Sequence, residues 1–231
     1  MNTDPVFLLD VDNTLLDNDR IIADLRDHLE REIGVAGFDR YWAIFEALRD
    51  RLGYTDYLGA LQSYRADVEE SDATAYRLLS LSTFLIDYPF HERLYPSALE
   101  VIARLGRLGT TVILSDGDVV FQPRKVKRSG LWDAVEGRVL IYVHKEQKLD
   151  AVQRCYPARH YVMVDDKQRI LTAMKEVLGE RLVTVFPRQG HYAHDPANLA
   201  RYPAADMSVD HIGDLLEPDF ESRLKAILEK I

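Results

Sequence analysis

Apolar positions along the chain follow two spacings. Four short runs, at 6–9, 110–114, 161–164 and 182–186, are apolar without polar alternation, rich in β-branched residues, and each followed by a helical pattern. Runs of that kind, separated by helices, predict a parallel sheet covered on both faces. A weaker run at 206–209 adds a candidate edge strand. Among the helices, Pro96 opens one at its first turn, with Leu99, Ile102, Ala103 and Leu105 on one face and Gly106 and Gly109 closing it. Another runs from about Lys167 through Ile170, Leu171, Met174 and Leu178 to Gly179. A third, around Leu149, Val152 and Cys155, stops at Pro157.

Residues 19–89 contain no strand run. They carry four successive amphipathic patterns instead: Ile22, Leu25, Leu29 and Ile33; Phe38, Tyr41, Trp42, Phe45, Leu48 and Leu52; Leu58, Leu61, Tyr64 and Val68; Ala75, Leu78, Leu79 and Leu85. Turn-like breaks fall at 34–37, 53–55 and 70–72. The expected architecture is therefore α/β, a Rossmann-like parallel-sheet core formed by residues 1–18 and 90–231, with a small helical bundle, residues 19–89, inserted after the first strand.

Composition narrows the partners. The 231 residues, 47% of them hydrophobic, suffice for one large core plus an insert. The formal charge is −9 and the longest basic run is PRKVKR at 123–128, which disfavours nucleic acid and anionic membranes and points to a small molecule. Cys155 is the single cysteine, so no internal disulfide is expected; a reducing compartment and a cytoplasmic location follow, with Cys155 itself expected as a semi-buried helix residue. No apolar segment approaches the ~18 residues of a spanning helix, and no basic flank precedes the first apolar run. Nothing in the sequence indicates an oligomeric state.

The chemistry lies where the apolar runs end. Ligands of an open parallel sheet bind beyond the carboxyl ends of its strands. There the first run meets Asp10 and Asp12, the second Ser115 and Asp116, the third Asp165 and Asp166. Carboxylates gathered at one sheet edge repel one another unless a cation sits among them, and hard oxygen ligands without thiolates suit Mg²⁺. A carboxylate at such a place can also act as a nucleophile toward phosphorus. The HYAHD segment at 191–195 lacks helix-spaced ligand geometry and reads as a loop. No Gly-rich nucleotide loop and no Gly-x-Ser-x-Gly elbow occurs.

These segments resemble the haloacid dehalogenase superfamily of hydrolases over nearly the whole chain, with a helical cap of the type inserted after the first motif. DVDNT, from Asp10 to Thr14, is similar to the family's Asp-x-Asp-x-Thr, VILS to its second motif and VMVDD to the double-aspartate form of its fourth. The resemblance implies that Asp10 is nucleophile and metal ligand, and that Asp12 is general acid and base and offers its backbone carbonyl to the metal. It implies that Thr14 supports the loop, Ser115 hydrogen-bonds the phosphoryl group, Asp166 ligates Mg²⁺ directly, and Asp165 does so or orients a bound water. The third-motif lysine, which pairs with the nucleophile, is sought in YVHKEQKLD, where Lys145 is preferred and Lys148 is the alternative. The expected activity is a Mg²⁺-dependent phosphatase acting on a small phosphorylated metabolite. Two rivals are a ligand-sensing relative without catalysis and a haloacid dehalogenase, the latter disfavoured by Asp12. The first lysine in the chain is Lys125, so the insert offers none for imine chemistry.

Overall fold

Six parallel strands run through the computed structural model, which describes residues 4–68 and 71–230. They are β1 (Val6–Leu9), β2 (Thr110–Asp116), β3 (Val139–Tyr142), β4 (Tyr161–Val164), β5 (Leu182–Pro187) and β6 (Met207–Val209), in the order β3-β2-β1-β4-β5-β6. β1 is central, and its two neighbours come from distant parts of the chain: Leu9 is level with Ile113 on one side and Val164 on the other. Successive side chains of a strand point to opposite faces. Phe7, Leu9 and Ile113 therefore pack on one face, while Val6, Leu8, Val112, Leu114, Tyr161 and Met163 pack on the other.

Outside the insert the helices are α4 (Ala98–Leu105), α5 (Phe121–Arg128), α6 (Leu131–Ala134), α7 (Leu149–Cys155), α8 (Gln168–Leu178), α9 (Gly190–Ala193), α10 (Pro196–Arg201) and α11 (Pro218–Leu228). Val101, Ile102 and Leu105 of α4, Val126 of α5 and Phe220 and Leu224 of α11 cover the first face. Leu149 and Val152 of α7 and Ile170, Leu171, Met174 and Leu178 of α8 cover the second.

The segment between β1 and β2 is helical, as its periodicity predicts: α1 (Asn18–Leu52), α2 (Tyr57–Asp67) and α3 (Asp72–Asp87). Asp17, Asp56 and Ser71 cap their N-termini, each side chain accepting a backbone N–H of the first turn. The break expected at 34–37 is confined to Gly34 (φ 74, ψ 170), so the first two predicted helices follow one another as a single kinked element. Aromatic rings join the insert to the core: Phe45 stacks on Tyr57 (4.7 Å between centroids), Tyr57 meets Phe121 of α5 at a tilt (5.3 Å), and Phe121 meets Phe90 edge to face (5.9 Å).

Three expectations are corrected. Strand β3 was not among the predicted runs; it is an edge strand whose residues are only half buried, although Val139 to Tyr142 is plainly β-type. In α4, which starts after Ser97 in a left-handed conformation (φ 64), the face packed on the core is Ala98, Val101, Ile102 and Leu105, one residue earlier than expected, and Leu99 and Ala103 are exposed. Cys155 is exposed, since Leu149 and Val152 form the inward face of α7. Among the described residues no helix is long and apolar enough to cross a membrane.

Candidate active site

The carboxyl edge of the sheet gathers charges that elsewhere in the molecule lie in water. Asp10 follows β1 by one residue and donates its backbone N–H to the Val164 carbonyl (3.0 Å), which places it level with Asp165 at the end of β4. Both continue the face formed by Leu8 and Met163, so their side chains meet. The loop after Asp10 is a tight turn in which the Val11 carbonyl accepts the backbone N–H groups of Thr14, Leu15 and Leu16. Asn13 takes φ 61 there, and its side-chain oxygen accepts the backbone N–H groups of Asn18 and Asp19 (3.0 and 3.1 Å), joining the loop to the start of α1. The Thr14 hydroxyl donates to Asp10 Oδ2 (3.1 Å) and accepts the Asp166 backbone N–H (3.1 Å).

Lys145 is the lysine of YVHKEQKLD that reaches this edge; Lys148 is exposed. Only 2% exposed, Lys145 places Nζ 2.5 Å from Asp10 Oδ1 and 2.6 Å from Asp165 Oδ2, and also donates to the Leu114 carbonyl (3.2 Å). Its backbone N–H donates to Asp116 Oδ1 (2.7 Å), so the end of β2 fixes the loop that carries it, entered through His144 at φ 58. Burial pushes the Lys145 ammonium toward neutrality, but Asp10, Asp165 and Asp116 outweigh it and hold it charged. Lys167, acting on Asp166, Asp10 and Asp165, is held charged in the same way.

Asp10, Asp165 and Asp166 each present an oxygen within 4.8 Å of the others, and all three are buried. Burial raises the Asp10 carboxyl, with Lys145 opposing and Asp165 adding; burial likewise raises Asp166, with Lys167 opposing and Asp165 and Asp10 adding. Asp165 has polar company, since its Oδ1 accepts the Lys167 backbone N–H (2.8 Å). Both Asp166 oxygens, in a residue 1% exposed, have no hydrogen-bond partner. A buried carboxylate left so is costly unless a cation meets it. Three hard oxygen donors, one wholly unpartnered, fit a small divalent cation such as Mg²⁺.

Of the sequence-derived candidates, Asp10, Lys145, Asp165 and Asp166 come together. The carboxylate of Asp12 stands outside that cluster and is held by Lys125 and Gln122 instead. Ser115, buried at the end of β2, donates to the Asp116 carbonyl (3.3 Å) and accepts from Gln122 Nε2 (3.0 Å). The HYAHD segment belongs to no metal-ligating cluster among the described residues; His191 instead binds Asp19, Nδ1 to Oδ1 2.6 Å and backbone N–H to Oδ2 2.8 Å. Sequence reading passed over Gln122 and Lys125. Their signal was the PRKVKR run just beyond the second strand, taken only as surface charge, in which Arg124 and Arg128 bind the C-terminal end of α3 through the Ile86 and Asp87 carbonyls and Lys125 turns inward.

Comparison with known proteins shows the family. No curated protein matches the chain. A haloacid dehalogenase-like hydrolase from Burkholderia xenovorans LB400 is 62% identical and superposes with a TM-score of 0.87, covering 96% of this chain and 99% of its own. The hydrolase YfnB from Bacillus subtilis, solved bound to magnesium, shares the fold at 17% identity (TM-score 0.60, 93% and 97% covered), as does a 2-haloacid dehalogenase from Pseudomonas syringae pv. tomato DC3000 at 18% (0.63, 96% and 100%). The family model for haloacid dehalogenase-like hydrolases matches residues 5–177, a span that takes in the Asp10 loop, Ser115, Lys145 and the Asp165–Asp166 pair, and the chain belongs to that family.

Proposed function

We propose that this hydrolase is a Mg²⁺-dependent phosphatase acting on a small phosphorylated metabolite through an aspartyl phosphate on Asp10. One observation carries the reading: the buried, unpartnered carboxylate of Asp166 beside Asp10 and Asp165, which calls for a cation. A halide leaves without a proton and its displacement needs neither a metal nor a second acid. Asp12, two residues beyond the nucleophile, is the group that could supply that proton to an alkoxide.

Asp10, held between Lys145 and Thr14, attacks phosphorus with a carboxylate oxygen while the ester P–O bond breaks and its electron pair goes to the leaving oxygen. Asp12 protonates that oxygen, then takes a proton from the water that attacks the aspartyl phosphate, which releases phosphate and restores Asp10. Lys145 and the Ser115 hydroxyl stabilise charge on the phosphoryl oxygens. Asp10, Asp165, Asp166 and the Asp12 carbonyl would hold Mg²⁺, which would supply positive charge to offset the carboxylates and the phosphoryl group. The helical insert covers the site as a cap. The free thiol of Cys155 agrees with a cytoplasmic enzyme.

The test is a panel of phosphate monoesters and 2-haloacids assayed with Mg²⁺ and with EDTA. Phosphate release that requires Mg²⁺, with no halide release, is expected. Halide release in EDTA without phosphate release would overturn the reading in favour of a dehalogenase.

A further inference from the structure

A second buried lysine stands behind the first motif. Lys125, on α5 and 2% exposed, ends at the Asp12 carboxylate: its Nζ donates to Asp12 Oδ1 (2.8 Å) and to Asn18 Oδ1 (3.1 Å), above the Phe121 ring (5.8 Å to the centroid). Gln122, three residues earlier on the same helix face, donates Nε2 to Asp12 Oδ2 (3.3 Å) and to Ser115 Oγ (3.0 Å). Both oxygens of Asp12 are thus held from one helix. α5 comes this close because Gly117 has no side chain; a Cβ there would lie 2.7 Å from Gln122 Cβ.

Resting on the phosphatase reading above, we propose that Lys125 is a positioning residue for the reaction, which with Gln122 fixes the Asp12 carboxyl group on the line of proton transfer to the leaving oxygen. Asp12 is the more exposed partner of the pair, its side chain 24% accessible against 2% for Lys125, so the lysine stands behind and the carboxyl group in front. A long side chain is normally left in water; burying an ammonium is tolerated where a fixed anion meets it. Lys125 does not touch the transferring group. It acts by removing rotational freedom from the acid, a form of preorganisation. Its second bond, to Asn18 at the first residue of α1, ties that alignment to the root of the insert.

The readout that separates positioning from mere structural support is the leaving group. In single-turnover measurements of alcohol or phenol release with Mg²⁺ present, Lys125→Met should slow the first step ~10- to 100-fold for an alkyl phosphate, within the range general acid catalysis supplies. For 2,4-dinitrophenyl phosphate, whose leaving group needs no proton, the loss should stay under about threefold. KM should stay within about a factor of two, and Lys125→Met combined with Asp12→Asn should be no slower than Asp12→Asn alone, since residues acting as one unit are not additive. Lys125→Arg should recover part of the rate on the alkyl phosphate. If Lys125→Met does not fold by circular dichroism, Lys125→Gln is measured in its place with the same expectation. Equal losses for both leaving groups, or losses that add to those of Asp12→Asn, would overturn the assignment. If Asp12→Asn shows the leaving-group dependence and the Lys125 variants do not, this proposal alone fails. If the unaltered protein releases no phosphate from either ester, the phosphatase reading fails and takes this one with it.

Discussion

The carboxyl edge of the sheet and the helical insert handle charge in opposite ways. At the edge, Asp10, Lys145, Asp165 and Asp166 are all buried, with carboxylates facing carboxylates. In the insert, ion pairs such as Arg26–Glu30 and Arg40–Asp67 lie in water, and the buried contacts are mainly apolar and aromatic, with a hydrogen bond from the Tyr41 hydroxyl to the Tyr57 carbonyl (3.0 Å) among them. Exposed pairs contribute little, whereas each buried and unmatched charge opposes folding. The edge is thus arranged for chemistry at the expense of stability and the insert for packing, so activity and stability should respond to substitutions in different places.

The largest effect is expected at the edge. Asp10→Asn should lower phosphate release by at least ~10³-fold, as loss of a nucleophile does, while the thermal midpoint in EDTA stays level or rises. Lys145 keeps Asp165 in that variant, and Asp166 loses a repelling neighbour. Near-normal turnover would remove Asp10 as nucleophile, and a large fall in midpoint would break the contrast. In the insert, Tyr57→Ala empties a buried ring site between Phe45 and Phe121 and should cost roughly 3–5 kcal/mol in urea unfolding. A stability close to the unaltered protein's would show that the aromatic bridge is dispensable.

A third prediction ranks two neighbours. Asp165 is engaged by Lys145 and by the Lys167 backbone, whereas the Asp166 carboxylate accepts no hydrogen bond, so Asp166→Ala should weaken Mg²⁺ activation more than Asp165→Ala, by about 10- to 100-fold in the half-saturating concentration. Equal shifts in a Mg²⁺ titration would remove the ranking. The smallest effect concerns acid. Burial pushes Asp24 of α1 upward, but the Tyr88 hydroxyl, Arg93 and Arg20 outweigh it and hold its carboxyl below the ordinary value of 3.8. A depressed carboxyl adds stability above its unfolded-state value and loses it as pH falls through the folded one. Asp24→Asn should therefore melt lower than the unaltered protein at pH 7, with the gap closing as pH drops below about 4. A gap that persists at pH 2.5 would show that packing, not charge, sets it.

The same contrast governs what the sequence disclosed. The strands carrying Asp10, Ser115 and Asp165 are apolar runs ending in polar groups, and periodicity shows such runs directly. The insert's helices were legible for the same reason, though Gly34 kinks one helix instead of ending it. Strand β3, a four-residue run half exposed at the sheet edge, was not among the predicted strands. Lys145 could be preferred over Lys148 but not fixed, because the choice depends on a left-handed residue, His144, and on the Asp116 side chain that holds the loop. Lys125 was invisible because an inward turn of one lysine in a basic run follows from how closely α5 approaches the first loop, which depends on Gly117 and tertiary packing.

The central place of β1 has a consequence in time. Val6 pairs with Thr110 on one side and Tyr161 on the other, while α1, α2 and α3 pack against one another within a single stretch of chain. Contacts between distant residues form slowly and local ones quickly. On a ribosome the insert is complete while the strand bearing Asp10 still lacks both neighbours. Asp10 is thus synthesised well before the strands that surround it, so a chain that stops short of β4 presents helices to the cell and no assembled carboxylate cluster.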